Sequence, residues 1–209
     1  MSACPYCSHV LNEVPNRKKK CPSCGGVIFV KSAPDNREKR LMTAASAQEA
    51  ESLWERYNAR QAAVSILFPF GMTETDIEQQ LREGAVSDRD AVRRILLKIA
   101  EDTNNLHTRK MAYGRLAAFA EEDGRPFHDL LMSSVRCELL QYRSLGVNRV
   151  EILTAGHRNV CATCEVNKGK VFPIDEALRS MPLPNTSCTR SIAGKVGGFC
   201  RCGYIPVID

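Results

Sequence analysis

This sequence predicts a mainly α-helical fold in which a helical centre lies between two small cysteine-rich modules, and three observations carry that expectation. Apolar residues recur at three- and four-residue steps through the middle of the chain, the spacing of one helical face. Nine of the ten cysteines fall within residues 4–24 and 161–202, towards the two ends. After Gly146 the apolar period shortens to two residues, as on a half-exposed strand.

The first module occupies residues 1–31. Cys4 and Cys7 form one C-x2-C step, Cys21 and Cys24 a second, and thirteen residues separate the two. One tight turn aims two sulfurs at a single ion, and a second such turn completes the tetrahedral thiolate set that zinc prefers. The steps read Cys-Pro-Tyr-Cys and Cys-Pro-Ser-Cys-Gly-Gly, a pattern that resembles a zinc ribbon. Val27, Ile28, Phe29 and Val30 read as its strand. The first pair alone also looks like the redox motif of glutaredoxins, but that motif needs a strand before it and a helix after it. Here only three residues precede Cys4, and a proline and a basic run follow. His9 is expected on an exposed loop, because four cysteines already complete the set.

Charge follows the cysteines. Residues 1–40 hold 8 basic and 3 acidic side chains, residues 41–146 hold 13 and 16, and residues 147–209 hold 8 and 5. Arg17, Lys18, Lys19 and Lys20 form a basic tip between the two cysteine pairs and are the candidate nucleic-acid contacts. A tip of this kind also serves solubility alone, and no aromatic residues interleave with it for base stacking.

Residues 31–37 read as a linker, and residues 38–146 as the helical domain. A helix is expected over 38–67, with Ala50, Leu53, Trp54 and Tyr57 on one stripe and Phe68-Pro69 ending it. Thr75 with Glu78 makes a capping-box signature for a short helix ending near Gly84, and Ser87 caps the next, whose Val92, Ile95, Leu96 and Ile99 share a face. Further helices are expected over 108–122 and 126–145, stopped at Asp123-Gly124 and at Gly146.

Residues 147–209 form the C-terminal module. Val150 and Ile152 alternate with polar neighbours on a strand, and the rest is rich in turns and poor in core residues. Such a segment needs a staple. Cys161 and Cys164 form a C-x2-C step, Cys200 and Cys202 a C-x-C step, and Cys188 lies between them, so five cysteines compete for about four positions on a second zinc. His157 is a further candidate ligand. Two zinc ions are therefore expected in all. The full expectation is a mainly α fold: a helical central region flanked by an N-terminal zinc ribbon and a small C-terminal α+β zinc-stabilised module.

From about residue 131 onward the chain resembles the minor head (head-morphogenesis) proteins of Mu-like tailed phages. The matching features are a helix carrying Arg136 and Glu138 that runs to Gly146-Val147, the strand at 150–153, and Cys161-Ala-Thr-Cys164. They continue with Gly169-Lys170-Val171-Phe172, Met181-Pro-Leu-Pro184, and Cys200-Arg-Cys202 before Ile205-Pro206-Val207. That family commonly carries a proline-histidine step just before its C-R-C, where this chain has Asn185, Cys188 and a glycine-rich insert. The resemblance covers the last third of the chain and implies a role in capsid assembly or DNA packaging, with capsid or portal components as protein partners.

Several enzyme classes lack their residues. There is no H-E-x-x-H, no H-x-E with P-C-x-x-C, and no phosphate loop, and no histidine lies between Cys164 and Cys200 for a homing-type nuclease. Cys137 is expected as a buried structural thiol, and His107 and His128 fall near helix starts. The expected function is a zinc-binding, non-catalytic interaction or assembly protein. A nucleic-acid-binding regulator is the alternative, and a zinc-dependent hydrolase a distant third. No apolar run approaches the roughly 20 residues that cross a bilayer, and no signal peptide is expected ahead of Cys4. The expected location is the cytoplasm, or the virion if the gene is phage-derived.

Overall fold

The computed structural model describes residues 2–34, 37–154, 160–190 and 198–208. His157, Gly194 and Gly197 lie outside the described residues. The chain divides into two compact units, Met1–Glu74 and Thr75–Asp209.

The first unit opens with two short antiparallel strands, β1 (Ser2–Ala3) and β2 (Val10–Leu11). An antiparallel sheet follows, in which β4 (Val27–Lys31) lies between β3 (Lys19–Lys20) and β5 (Arg40–Met42). The sheet buries little: Ile28 is 1% exposed and packs with Cys4, Cys21, Leu11 and Leu41. Residues 40–42 were expected to be helical and are a strand instead. Pairing with β5 satisfies the backbone edge that β4 would otherwise leave open. The helix α1 (Ala44–Leu67) starts only where Thr43 caps it, the Thr43 hydroxyl accepting from the Ser46 amide at 3.2 Å.

α1 packs against β4 and β5. Ala47 and Ala50 are buried and Trp54 and Tyr57 half-buried, while Leu53, expected on the same stripe, is 39% exposed at its edge. Trp54 Nε1 donates to the Ser32 carbonyl at 2.7 Å, and Lys31 reaches Glu51 at 2.6 Å. A 3-10 turn at Phe68–Phe70 ends the helix at the expected Phe-Pro step.

α2 (Glu74–Arg82) spans the division between the units. Thr75 sits inside its first turn, so the expected cap at Thr75 does not form. α3 (Asp88–Asp102) is capped as expected, Ser87 Oγ accepting from the Asp90 amide at 3.1 Å, and it buries Val92, Ile95 and Leu96 with Ile99 half-buried. α4 (Leu106–Glu122) has Asn105 as its cap, its Oδ1 accepting from the Thr108 amide at 3.0 Å, and α5 (His128–Ser144) follows. α4 packs on both α3 and α5. A Cβ at Gly114 of α4 would lie 3.5 Å from Ser134 Oγ of α5, so a small residue suits this close approach.

The rest of the second unit is a three-stranded antiparallel sheet with short helices between its strands. β6 (Arg149–Leu153) lies between β7 (Val171–Pro173) and β8 (Gly203–Val207), with α6 (Ala162–Glu165) and α7 (Ile174–Ser180) in the connections. Val150, Ile152 and Tyr204 face inward and share a core with Val135 and Leu139 of α5 and Ile174 and Ala177 of α7. Tyr142 of α5 donates its hydroxyl hydrogen to the Tyr204 carbonyl at 3.1 Å, and Tyr204 Oη in turn accepts from the Leu183 amide at 3.3 Å. About half the chain is helical. Among the described residues no helix is long and apolar enough to cross a membrane.

Candidate metal centres

Both cysteine sets predicted from spacing converge in space. At the N-terminus the four sulfurs of Cys4, Cys7, Cys21 and Cys24 all lie within 4.8 Å of one another. Two opposite edges, Cys4 to Cys24 and Cys7 to Cys21, measure 3.9 and 3.8 Å. An ion bound tetrahedrally at the zinc–thiolate length of about 2.3 Å requires sulfur–sulfur edges of about 3.8 Å, so the set fits.

Two equivalent turns build this site. The Cys4 amide donates to the His9 carbonyl and the Cys21 amide to the Gly26 carbonyl, while the Ser8 and Gly25 amides return to the carbonyls of Cys4 and Cys21. Gly25 has φ +71°, and Ser8 adopts φ +58° at the matching position of the first turn. Tyr6 locks the two turns to the helix: its hydroxyl donates to the Val27 carbonyl at 3.0 Å and accepts from the Ala44 amide at 2.8 Å. A side chain at Gly26 would run into the Tyr6 ring at 2.9 Å. The Cys24 amide hydrogen-bonds Cys21 and holds its thiol down at about 6. The Gly26 amide acts the same way on Cys24, but the crowded sulfurs, Cys7 foremost, push that thiol up to about 12. A divalent cation relieves this crowding of negative charge.

The C-terminal sulfurs form two overlapping sets of three, Cys161 with Cys164 and Cys188, and Cys164 with Cys200 and Cys202. Cys161 to Cys188 is 3.7 Å and Cys164 to Cys200 is 3.9 Å. Both distances match the edge that a tetrahedral ion requires, but no four of these five sulfurs lie mutually within 4.8 Å as the N-terminal four do. Cys161 stands at the N-cap of α6 and Cys164 within its single turn, and the Cys164 amide donates back to the Cys161 carbonyl. Burial opposes ionisation of Cys161, yet the Thr163 hydroxyl and the amides of Thr189 and Cys164 outweigh it and bring the thiol to about 6. Burial pushes the thiols of Cys164, Cys188 and Cys200 up.

Asn185, which carried no signal beyond its place after Pro184, organises this centre. Its Nδ2 donates to the Cys164 sulfur at 3.8 Å and to the Thr163 carbonyl at 2.9 Å, and its Oδ1 accepts from the Ser187 amide at 3.0 Å. Phe199 anchors the segment that delivers Cys200, packing with Ala117 and Leu131 and lying 5.4 Å from the Phe127 ring.

Among the described residues, the remaining candidates join neither cluster. Cys137 is buried in α5, where burial raises its thiol. His107 and His128 sit in the first turns of α4 and α5, and His9 is exposed. Arg17, Lys18, Lys19 and Lys20 are all exposed, Lys18 lying 4.8 Å from the centroid of the Phe29 ring. That pairing follows from the β3–β4 register and was invisible in the spacing of the tip.

No family model matches this chain, nor does any curated protein or solved structure.

Proposed function

We propose that this protein is a non-catalytic interaction or assembly protein, stapled by two zinc ions, that acts in the manner of phage minor head proteins. The observation that supports this best is how the segments of the resemblance come together. The helix before Gly146, the strand at 150–153, Val171-Phe172 and the chain after Cys202 are separate in sequence, yet β6 pairs with both β7 and β8 and packs against α5. Sets made of cysteine alone suit structural zinc, which closes its shell with protein ligands. A zinc-dependent hydrolase draws no support from clusters that contain only sulfur ligands among the described residues.

The outward face of the same sheet favours a protein partner. Leu153, Val171 and Ile205 are 52%, 46% and 37% exposed, and Val171 and Ile205 both stand opposite Glu151. Exposed apolar side chains gathered around one carboxylate suit a docking protein, here a capsid or portal component. Zinc-loaded protein should capture a capsid or portal protein encoded beside its gene, and Leu153→Glu should abolish the capture. A gene with no phage neighbours, or capture indifferent to Leu153→Glu, sinks the proposal.

The exposed basic tip favours a second reading, nucleic-acid binding by the ribbon. Neutralising Lys19 and Lys20 should then weaken binding and reduce its salt slope by about two. Affinity that ignores salt would remove this reading.

A further inference from the structure

Leu97 stands outside the buried face of α3. It is 44% exposed, whereas Val92, Ile95 and Leu96 of the same helix are buried. It is not isolated, because with Leu116, Ala120, Pro126 and Leu130 it lines an open cavity of about 470 Å³. Leu116 and Ala120 are buried residues of α4, which packs on both α3 and α5, so α4 forms the floor. α3 supplies one side, and the segment entering α5 supplies the other.

The rest of the lining is cationic. Arg93, Arg94 and Arg125 complete the wall, and among the described residues no carboxylate lines it. Their side chains are 43%, 41% and 43% exposed, within reach of a partner, yet each is held in place. Asp90 takes Arg93 at 2.9 Å and Arg94 at 3.1 Å. Arg125 pairs with Asp123, a carboxylate that also takes Arg89 at 2.9 Å. Two shared carboxylates therefore position three guanidiniums without matching them charge for charge. Arg93 and Arg125 also line a more polar cavity of about 270 Å³ with Arg89, which carries the cationic surface past the apolar floor.

We propose that this groove docks an acidic amphipathic helix of a partner protein. The inference goes beyond the sheet face proposed above and rests on neither metal centre. Arg93 and Leu97, Leu116 and Ala120, and Pro126 and Leu130 are each four residues apart. A groove bordered by helices accepts a further helix, whose apolar residues at three- and four-residue steps fill the floor. Its flanking carboxylates then meet guanidiniums whose planar forks suit them, and arginines fixed beforehand lose little freedom on binding. The apolar floor favours protein over nucleic acid, because contacts to a phosphate backbone leave such a floor unfilled.

The test uses the full chain loaded with zinc to select from a displayed library of helical peptides, about 18 residues long so that they can hold a helix, in which apolar, acidic and basic residues vary. Selected peptides should carry an apolar stripe flanked by Asp or Glu. A pool enriched in Lys and Arg, or enriched in nothing, overturns the proposal. The best acidic peptide, labelled and titrated against the chain, should bind more weakly as salt rises. Leu97→Glu should weaken it roughly tenfold, and Arg94→Ala with Arg125→Ala should weaken it by a similar factor and flatten the salt dependence. Equal affinity for wild type and variants overturns the proposal. If the variants do not fold, photo-crosslinking of the same peptide to wild-type protein decides: labels within residues 93–97 and 125–130 are expected, and labels elsewhere overturn the proposal. Duplex DNA that displaces the peptide would assign the arginines to phosphates and overturn it too.

Discussion

The two metal centres share the same sulfur chemistry and differ in what surrounds it. Around the N-terminal set the apolar support amounts to Ile28 with Leu11 and Leu41. The C-terminal set lies beside a core drawn from α5, α7 and all three strands of its sheet, with Val150, Ile152, Leu139 and Leu183 fully buried. An ion held at each end would therefore do different work. In the ribbon it would stand in for a hydrophobic core, whereas in the C-terminal module it would fix loops onto a core that exists without it.

The largest effect should come from taking the metal away. Structural zinc in small modules contributes roughly 10–16 kcal/mol of apparent binding energy, and where no other core exists that energy is the folding energy. Chelation, or Cys4→Ser with Cys21→Ser, should bring the amides of β1 to β4 to unprotected hydrogen exchange. β6 and β8 should stay protected in the same sample. Loss of protection in both places together would erase the distinction between the centres.

Next comes the core that the ribbon lacks. Ile152→Ala removes a buried side chain from the middle strand and should lower the stability of the second unit by about 2–5 kcal/mol, read as a shift in the denaturant midpoint. The ion count should stay the same.

Much of this was legible in the sequence, for identifiable reasons. The cysteine steps have one cheap geometric solution, so the convergence of Cys4, Cys7, Cys21 and Cys24 was legible from spacing alone, and the strand at 27–30 and the helix cap at Ser87 carry strong local signals. Residues 40–42 were not legible, because Arg40, Leu41 and Met42 have no strand preference of their own and pair only because β4 has an open edge. Leu53 was misplaced because a single-helix stripe has no way to register where the sheet lies. Tyr6 and Asn185 act through contacts to residues 21 or more positions away, Tyr6 with Val27 and Asn185 with Cys164, which no local pattern encodes.

Asn185 sharpens the comparison on a smaller scale. Removing a partner that orients a metal ligand typically costs about 10- to 100-fold in affinity. Asn185→Ala should weaken the C-terminal site by that factor in competition with a chelator and leave the ribbon site unchanged. A change at both sites would mean that the two centres are not independent.

The smallest effect concerns the helical part of the second unit. Burial works to raise the Asp90 carboxyl, but the Val86 amide together with Arg93 and Arg94 holds it below the usual carboxylate value. A carboxylate depressed in the folded state stabilises the fold above its unfolded value, and that contribution disappears as pH falls through the folded value. Asp90→Asn should lower the melting temperature by about 2 °C at neutral pH and leave it unchanged in strong acid. A shift of equal size in acid would assign the effect to something other than charge.

The most direct test of two thiolate-held ions doing unequal structural work is a metal count on the intact chain by native mass spectrometry, repeated during stepwise chelation with hydrogen exchange alongside. Two zinc ions per chain are expected, with ribbon protection vanishing as its ion leaves while the C-terminal sheet persists. A folded ribbon in a chain that carries no metal would contradict the account.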